Sequence, residues 1–273
     1  MRKEFATLVK NYLRDNVNSA VLLGDISVGL FVDQDENLHE KVYNVGILEQ
    51  SMISFAAGLS AAGTKTFVHT ISSFIVERAF EQIKLDLSYN KNNVILVSAN
   101  GPYDYSKLGP THHCSSDIPI LNQIPNLNLY VPGRVEDVAI LLEKACISSQ
   151  PTYLRLTSRS SSLSDRELFK LKARPFDDVT IFVGEALAYF QEHADAFENQ
   201  KIIYVKALDE CVDNQLFNAE NVTIYEPYSY PIFAHSIKFR KPLQAFCYPK
   251  SIESGIFAEP YFIKTAMNGL NNV

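Results

Sequence analysis

Glu49 lies where a short β-prone run, Val42-Tyr43-Asn44-Val45-Gly46, passes through Ile47-Leu48 into Glu49-Gln50 and then into Ser51-Met52-Ile53-Ser54-Phe55-Ala56-Ala57-Gly58-Leu59, a helix with small residues along its spine. Ile47, Leu48, Met52, Ile53 and Phe55 are its apolar neighbours in sequence. A carboxyl at such a join has two readings. It is a first-turn glutamate favoured by the positive end of the helix dipole, worth about 0.3–1 kcal/mol. Or it is a carboxyl held in apolar surroundings, which favour the neutral acid and keep a proton available for hydrogen bonding.

The stretch 100–117 is long and rich in Gly, Pro and Tyr, and loops of that length are usually functional or mobile. It carries Gly109-Pro110-Thr111-His112-His113. An imidazole there suits hydrogen bonding to hydroxyls and proton shuttling near neutral pH; the alternative is a plain surface histidine. Asp117 could cap the following helix. No third ligand stands near the His-His pair at helical or loop spacing, so no metal site is expected. Arg78 and Gln82 lie one turn apart on a helical stretch and could build an interface. Arg155 and Arg159 close the last strand of the first half, where a guanidinium fork could hold an anion. Phe74 reads as a core ring and Asp25, after Gly24, as a turn or cap residue.

These residues need a frame to hold them. Residues 2–16 place Phe5, Leu8, Val9, Tyr12 and Leu13 on one helical face. Strand signals recur at Val21–Leu23, Thr66–His69, Val94–Val97, Leu127–Val131 and Thr152–Leu156, with helical stretches at about 49–62, 73–88 and 135–148 between them. That alternation predicts a parallel sheet with helices on both faces, whose ligands sit outside the carboxyl ends of the strands. A serine-rich and then charged run follows. The expected organisation is a first domain over 1–158, a linker over 159–178 and a smaller α/β domain over 179–273. The last has strands at Val179–Val183, Ile202–Val205 and Val222–Tyr225 and a final helix near 258–270.

Two domains suit 273 residues, of which 47% are hydrophobic. A net charge of −6 without a basic cluster argues against a nucleic-acid surface. The four cysteines form no Cys-x-x-Cys pair. Met1-Arg2-Lys3-Glu4-Phe5 opens an amphipathic pattern, so no signal peptide is expected. No run approaches the ~18 apolar residues of a membrane span. A soluble, cytoplasmic protein is the expectation.

Asn44-Val45-Gly46-Ile47-Leu48-Glu49-Gln50, Ala56-Ala57-Gly58-Leu59-Ser60-Ala61-Ala62-Gly63, Arg78-Ala79-Phe80-Glu81-Gln82-Ile83 and Gly109-Pro110-Thr111-His112-His113 together resemble the transketolase family. More narrowly, they resemble the C-terminal subunit of a split transketolase, well over residues 2–160 and loosely over 179–273. The resemblance implies a parallel-sheet domain that binds the pyrimidine of thiamine diphosphate, followed by a transketolase C-terminal-like α/β domain. It makes Glu49 the acid that lends a proton to the aminopyrimidine ring nitrogen, so that the exocyclic amine can act as base. Phe74 would stack on that ring, with Ile71 where relatives carry a second aromatic. Asp25, Ile47 and Arg78 would complete the cofactor side. His112 would contact substrate and act in catalysis. Asn100 stands where many relatives have a phosphate-contacting histidine, and Leu108 where they have an acid that reads sugar hydroxyls. Arg155 or Arg159 would meet a substrate phosphate, a one-residue slip leaving both open.

The family's Gly-Asp-Gly and asparagine, which hold diphosphate through a divalent ion, have no counterpart here. The resemblance therefore implies a separate N-terminal subunit that carries Mg2+ or Ca2+, an α2β2 assembly and sugar substrates. Left open beside it are a 1-deoxyxylulose-phosphate synthase-like reaction, a 2-oxo acid dehydrogenase β-subunit and a non-catalytic regulatory subunit.

Overall fold

The computed structural model describes residues 1–31, 36–216, 218–239, 241, 243–249 and 261–265. Its first half is built on a sheet of β1 (Ser19–Leu23), β2 (Val42–Asn44), β3 (Lys65–Ile71), β4 (Val94–Ala99), β5 (Asn128–Tyr130) and β6 (Thr152–Arg155). The strand order is β2-β1-β3-β4-β6-β5, and every neighbouring pair is parallel. Strands covered on both faces read as unbroken apolar runs, and each residue of β1 and β4 is buried. The chain leaves β1 toward one edge to make β2 and returns to the other side for β3. The reversal opens a crevice at the carboxyl ends of β1 and β3, the place such sheets use for ligands.

The helix Arg2–Asp15 buries Phe5, Ala6, Val9 and Leu13 against one face of this sheet, beside Phe67, Ile95 and Val97. Each large side chain contributes roughly 1.5–3 kcal/mol by leaving water. The opposite face is covered by Glu49–Ala61 and by the stretch 74–89, whose Met52, Ile53, Ile75, Val76 and Ile83 pack on Leu22, Val68 and Leu96. At the end of β1 a Cβ on Gly24 would lie 2.7 Å from Thr70 Oγ1, so only glycine lets β1 and β3 stay this close there.

The stretch expected as one helix over 73–88 differs in its winding. Phe74–Arg78 and Ile83–Tyr89 are π-helical, separated by a break at Ala79 (φ −115°, ψ 23°) and the short turn Phe80–Gln82. Hydrophobic spacing alone does not separate a slightly wider turn from a regular one, and such bulges occur frequently at functional sites.

A second sheet holds β7 (Asp178–Val183), β8 (Lys201–Val205), β9 (Asn221–Glu226), β10 (Leu243–Cys247) and β11 (Ile263–Thr265), in the order β11-β10-β9-β7-β8. Its pairs are parallel except β10 with β11. The helix expected near 258–270 is corrected by this edge strand at 263–265; the rest of that range, apart from 261 and 262, lies outside the described residues. Between the sheets, the expected linker contains the helix Asp165–Lys172. Ser164 caps it by accepting from Glu167 N–H, and Glu167 accepts in return from Ser164 N–H at 2.8 Å. This is the Ser-x-x-Glu capping box, and Leu168 and Leu171 pack the helix on the second sheet's core.

Among the described residues, no helix is long and apolar enough to cross a membrane. All four cysteines are free thiols.

Candidate functional site

Glu49 is carried into place by two turns of backbone logic. Val45 N–H donates to Leu23 O at 2.9 Å, tying the end of β2 to β1. Gly46 then takes φ +79°, a left-handed value that favours glycine, and Leu48 N–H closes back on Gly46 O at 3.0 Å. The helix starts at once, with Glu49 as its first residue and only 1% exposed. Below it lie Met52 and Ile53, both fully buried. Ile47, Leu48 and Phe55 face the other way and are 64%, 57% and 50% exposed. The apolar neighbours in sequence therefore divide, two enclosing the helix start and three left on the surface.

The carboxyl's direct partner is charged. Arg78 Nη1 donates to Glu49 Oε2 at 2.7 Å, while Glu49 Oε1 is enclosed and has no hydrogen-bond partner. A buried acceptor left unmatched is costly, and sites meant for a ligand carry such atoms. The same guanidinium lies over the Phe74 ring, its Cζ 4.3 Å from the centroid. Phe74 is half-buried. Its edge meets His112 with centroids 5.2 Å apart, and His112 in turn meets Tyr105 at 5.8 Å. Thr111 fixes this loop: its carbonyl accepts from Ser73 Oγ at 3.1 Å, and its hydroxyl sits 2.9 Å from His112 Nδ1. Burial, with His113 adding to it, holds the His112 imidazole below the usual histidine range, so it is a neutral ring at pH 7 with a nitrogen able to accept a proton. Glu49, Phe74, Arg78 and His112 thus form one connected group.

Asp25, Ser27 and Asn100 all have φ between +55° and +73°, at the carboxyl ends of β1 and β4. Non-glycine residues rarely adopt this region, Asn and Asp more readily than most, and functional sites collect such positions. Asp25 and Asn44 bond reciprocally: Asp25 N–H donates to Asn44 Oδ1 and Asn44 Nδ2 to Asp25 Oδ1, each at 3.1 Å. Asn100 is 6% exposed. Leu108, on the histidine loop, is 56% exposed.

The two arginines considered for substrate are placed very differently. Arg155, 2% exposed, donates to Asp117 Oδ1 at 2.9 Å, and Asp117 is fully enclosed. Tyr153 OH donates to Asp117 Oδ2 at 2.8 Å. The guanidinium also lies 5.8 Å from the ring centroid of Tyr228, which belongs to the second domain. Arg155 is therefore a strut across the domain junction, and Asp117 is its counter-ion besides sitting at a helix start. Arg159 pairs with Glu192 at 2.9 and 3.1 Å and keeps 30% of its side chain in solvent.

A further group at this junction had no sequence signal beyond Gly184-Glu185 after an apolar strand. Glu185 is buried against Gly101, where an added Cβ would lie 2.6 Å from its Oε2, and it accepts from Thr157 Oγ1. Burial first, and Asp104 second, push its carboxyl up to about 7. The unfolded chain releases this proton near 4.5, so the stabilisation tied to the neutral acid is complete below that value and lost as pH rises toward 7. The difference is on the order of 3 kcal/mol. Glu185→Gln is expected to flatten this part of the pH dependence. Urea midpoints at about pH 5 and about pH 7.5 should converge in the variant; an unchanged gap would assign the dependence elsewhere.

Residues 1–162 match the family model of the transketolase pyrimidine-binding domain. A protein of Rhodococcoides fascians, described as an uncharacterised 33.6 kDa protein in the fasciation locus, is 30% identical over 246 residues, 85% of this chain and 77% of that protein. A subunit of the apulose-4-phosphate transketolase of Phocaeicola vulgatus is 30% identical over 193 residues, 68% of this chain. The match spans 61% of that subunit's length. Among solved structures, a split-gene transketolase described as an inactive β4 tetramer superposes with a TM-score of 0.75 at 21% identity, over 92% of this chain and 88% of that one. A transketolase from Pichia stipitis in complex with xylulose 5-phosphate gives 0.72 at 13% identity, over 92% of this chain and 42% of that one. At these identities the structural likeness is one of fold.

Proposed function

Because this chain belongs to the transketolase pyrimidine-binding domain family, we propose that it is the C-terminal subunit of a heteromeric, thiamine-diphosphate-dependent transketolase that moves a two-carbon ketol unit from a ketose to an aldose. The observation that carries this reading is Glu49 itself. It is an enclosed carboxyl at the carboxyl end of the sheet, with one oxygen unmatched and an aromatic ring beside it. That donor set fits an aminopyrimidine, which needs a hydrogen bond to its ring nitrogen and an apolar face to lie on.

Bound there, thiamine diphosphate would supply the nucleophilic carbon that carries the two-carbon unit. This chain's residues would serve it as follows. Glu49 gives a hydrogen bond to the ring nitrogen. Phe74 presents its face, Ile47 flanks the entrance and Asp25 borders the thiazolium side. His112, a neutral imidazole beside Phe74, receives or returns a proton at the sugar hydroxyls. Asn100 lines the substrate end from its left-handed turn. Arg159, with part of its guanidinium in solvent, is the arginine offered to substrate; Arg155 is occupied by Asp117. The diphosphate and its Mg2+ or Ca2+ are assigned to an N-terminal partner, since the Gly-Asp-Gly element is absent from this sequence. The exposed Ile47, Leu48 and Phe55 suit the surface that such a partner covers, in an α2β2 assembly.

The test is reconstitution. This chain, an N-terminal transketolase subunit, thiamine diphosphate and Mg2+ are combined and offered ketose donors, with pyruvate as a separate arm. Ketol transfer should require both chains. Full activity from this chain alone would sink the split-subunit reading, and turnover of pyruvate alone would redirect it to the deoxyxylulose-phosphate class.

A further inference from the structure

Arg78 makes the two contacts that the proposed function reserves for an aminopyrimidine. It donates to Glu49 at 2.7 Å and stacks on Phe74 at 4.3 Å. A guanidinium is planar, delocalised and rich in in-plane donors, so it satisfies a carboxylate and an aromatic face together, as a flat nitrogen heterocycle would. We propose that Arg78 is a stand-in for the cofactor ring: it holds Glu49 and Phe74 ready in the cofactor-free chain and is displaced when the ring arrives. The proposal rests on the reading given above.

Three features support displacement rather than permanent residence. A carboxylate that accepts from a guanidinium has no proton of its own to give to a ring nitrogen, so the acid role requires this ion pair to open. The arginine side chain is 43% exposed while the carboxylate is 1% exposed; the arginine can leave into solvent and Glu49 cannot. Arg78 also sits at the end of the π-helical stretch Phe74–Arg78, immediately before the break at Ala79. Its swing therefore does not need to unwind the turns packed on the sheet. Until it leaves, it matches a charge that would otherwise stand alone in the crevice, which makes it a positioning residue and not a catalytic one.

The experiment uses the assembled two-chain protein and thiamine diphosphate with Mg2+ as the probe. Calorimetric binding is measured for wild type, Arg78→Ala and Arg78→Lys, and crystal structures of the wild-type assembly are compared with and without cofactor. Removing a competitor worth one exposed ion pair and one cation–π contact should tighten cofactor binding about tenfold in Arg78→Ala. Arg78→Lys, which keeps the charge but loses the flat fork, should fall between the two. The cofactor-free crystal should show the guanidinium on Glu49 and Phe74, and the loaded crystal should show it turned out. Equal or weaker binding by Arg78→Ala, or a loaded crystal with Arg78 still over Phe74 and the ring taking Glu49 Oε1 instead, would overturn the displacement alone. A wild-type assembly that takes up no thiamine diphosphate would overturn the proposed function, and the displacement with it. Should the alanine variant not fold, the paired wild-type crystals still decide.

Discussion

Glu49→Gln is expected to lower kcat of the reconstituted enzyme by about 10²–10⁴-fold, the usual worth of a positioned proton donor, while the thermal midpoint moves by no more than a few degrees. The amide is nearly isosteric with the acid and can still accept from Arg78 at the Oε2 position. What stability is lost is the charge part of a pair whose arginine is 43% exposed, worth roughly 1 kcal/mol or less after screening. The rate loss and the small stability change separate the two readings of this residue. A first-turn glutamate serving only the helix dipole would give a similar small destabilisation and leave turnover intact. Near-normal kcat in the variant would therefore return Glu49 to that role.

The second large effect is on stability and concerns Asp117. Asp117→Ala is expected to destabilise the chain by about 3–5 kcal/mol, because it leaves Arg155 buried without its counter-ion. For a chain of this size that is a fall in Tm of roughly 10 °C. Tyr153 OH would lose its acceptor in the same step. Joint replacement, Asp117→Leu with Arg155→Met, should recover most of the loss, since an apolar pair of similar volume removes both charges together. Calorimetry on the single and double variants measures this directly. The same variants sort the arginines. If Arg155 were a substrate contact, Arg155→Met would raise KM with little change in Tm; as a junction strut it lowers Tm first. Arg159→Met is expected to show the reverse pattern.

Much of the frame is legible in the chain. Val21–Leu23 and Val94–Val97 are apolar without interruption because both their faces are covered, and such runs announce themselves. Leu243–Cys247 is harder to see, since it alternates toward an edge where one face is open, with Gln244 exposed. Ile263–Thr265 is only three residues long, too short for its spacing to separate a strand from a helix. Ser164 and Glu167 carry a capping box in plain view, but inside a serine-rich run whose composition points to a linker. The site divides along the same line. Local order gives Glu49 at its helix start and His112 in its loop. The Arg78–Glu49 pair spans 29 positions and the Arg155–Asp117 pair 38, so neither partner can be chosen until the sheet has brought the segments together. Ile47, Leu48 and Phe55 mislead for a related reason: they adjoin the carboxyl in sequence, yet the turn at Gly46 and the helix's own rotation direct them outward.

The left-handed turn at Asn100 has a consequence for how this enzyme could change its diet. Only a short menu of side chains accepts φ +73° without a penalty of about 1–2 kcal/mol, with Gly, Asn, Asp and His foremost. Every member of that menu except glycine is polar, and each differs in charge or proton-handling. Drift at this one position would thus move in chemical jumps between neutral amide, anion and imidazole, never through a greasy intermediate, and an engineer wishing to retune the sugar end has a ready-made alphabet of four letters.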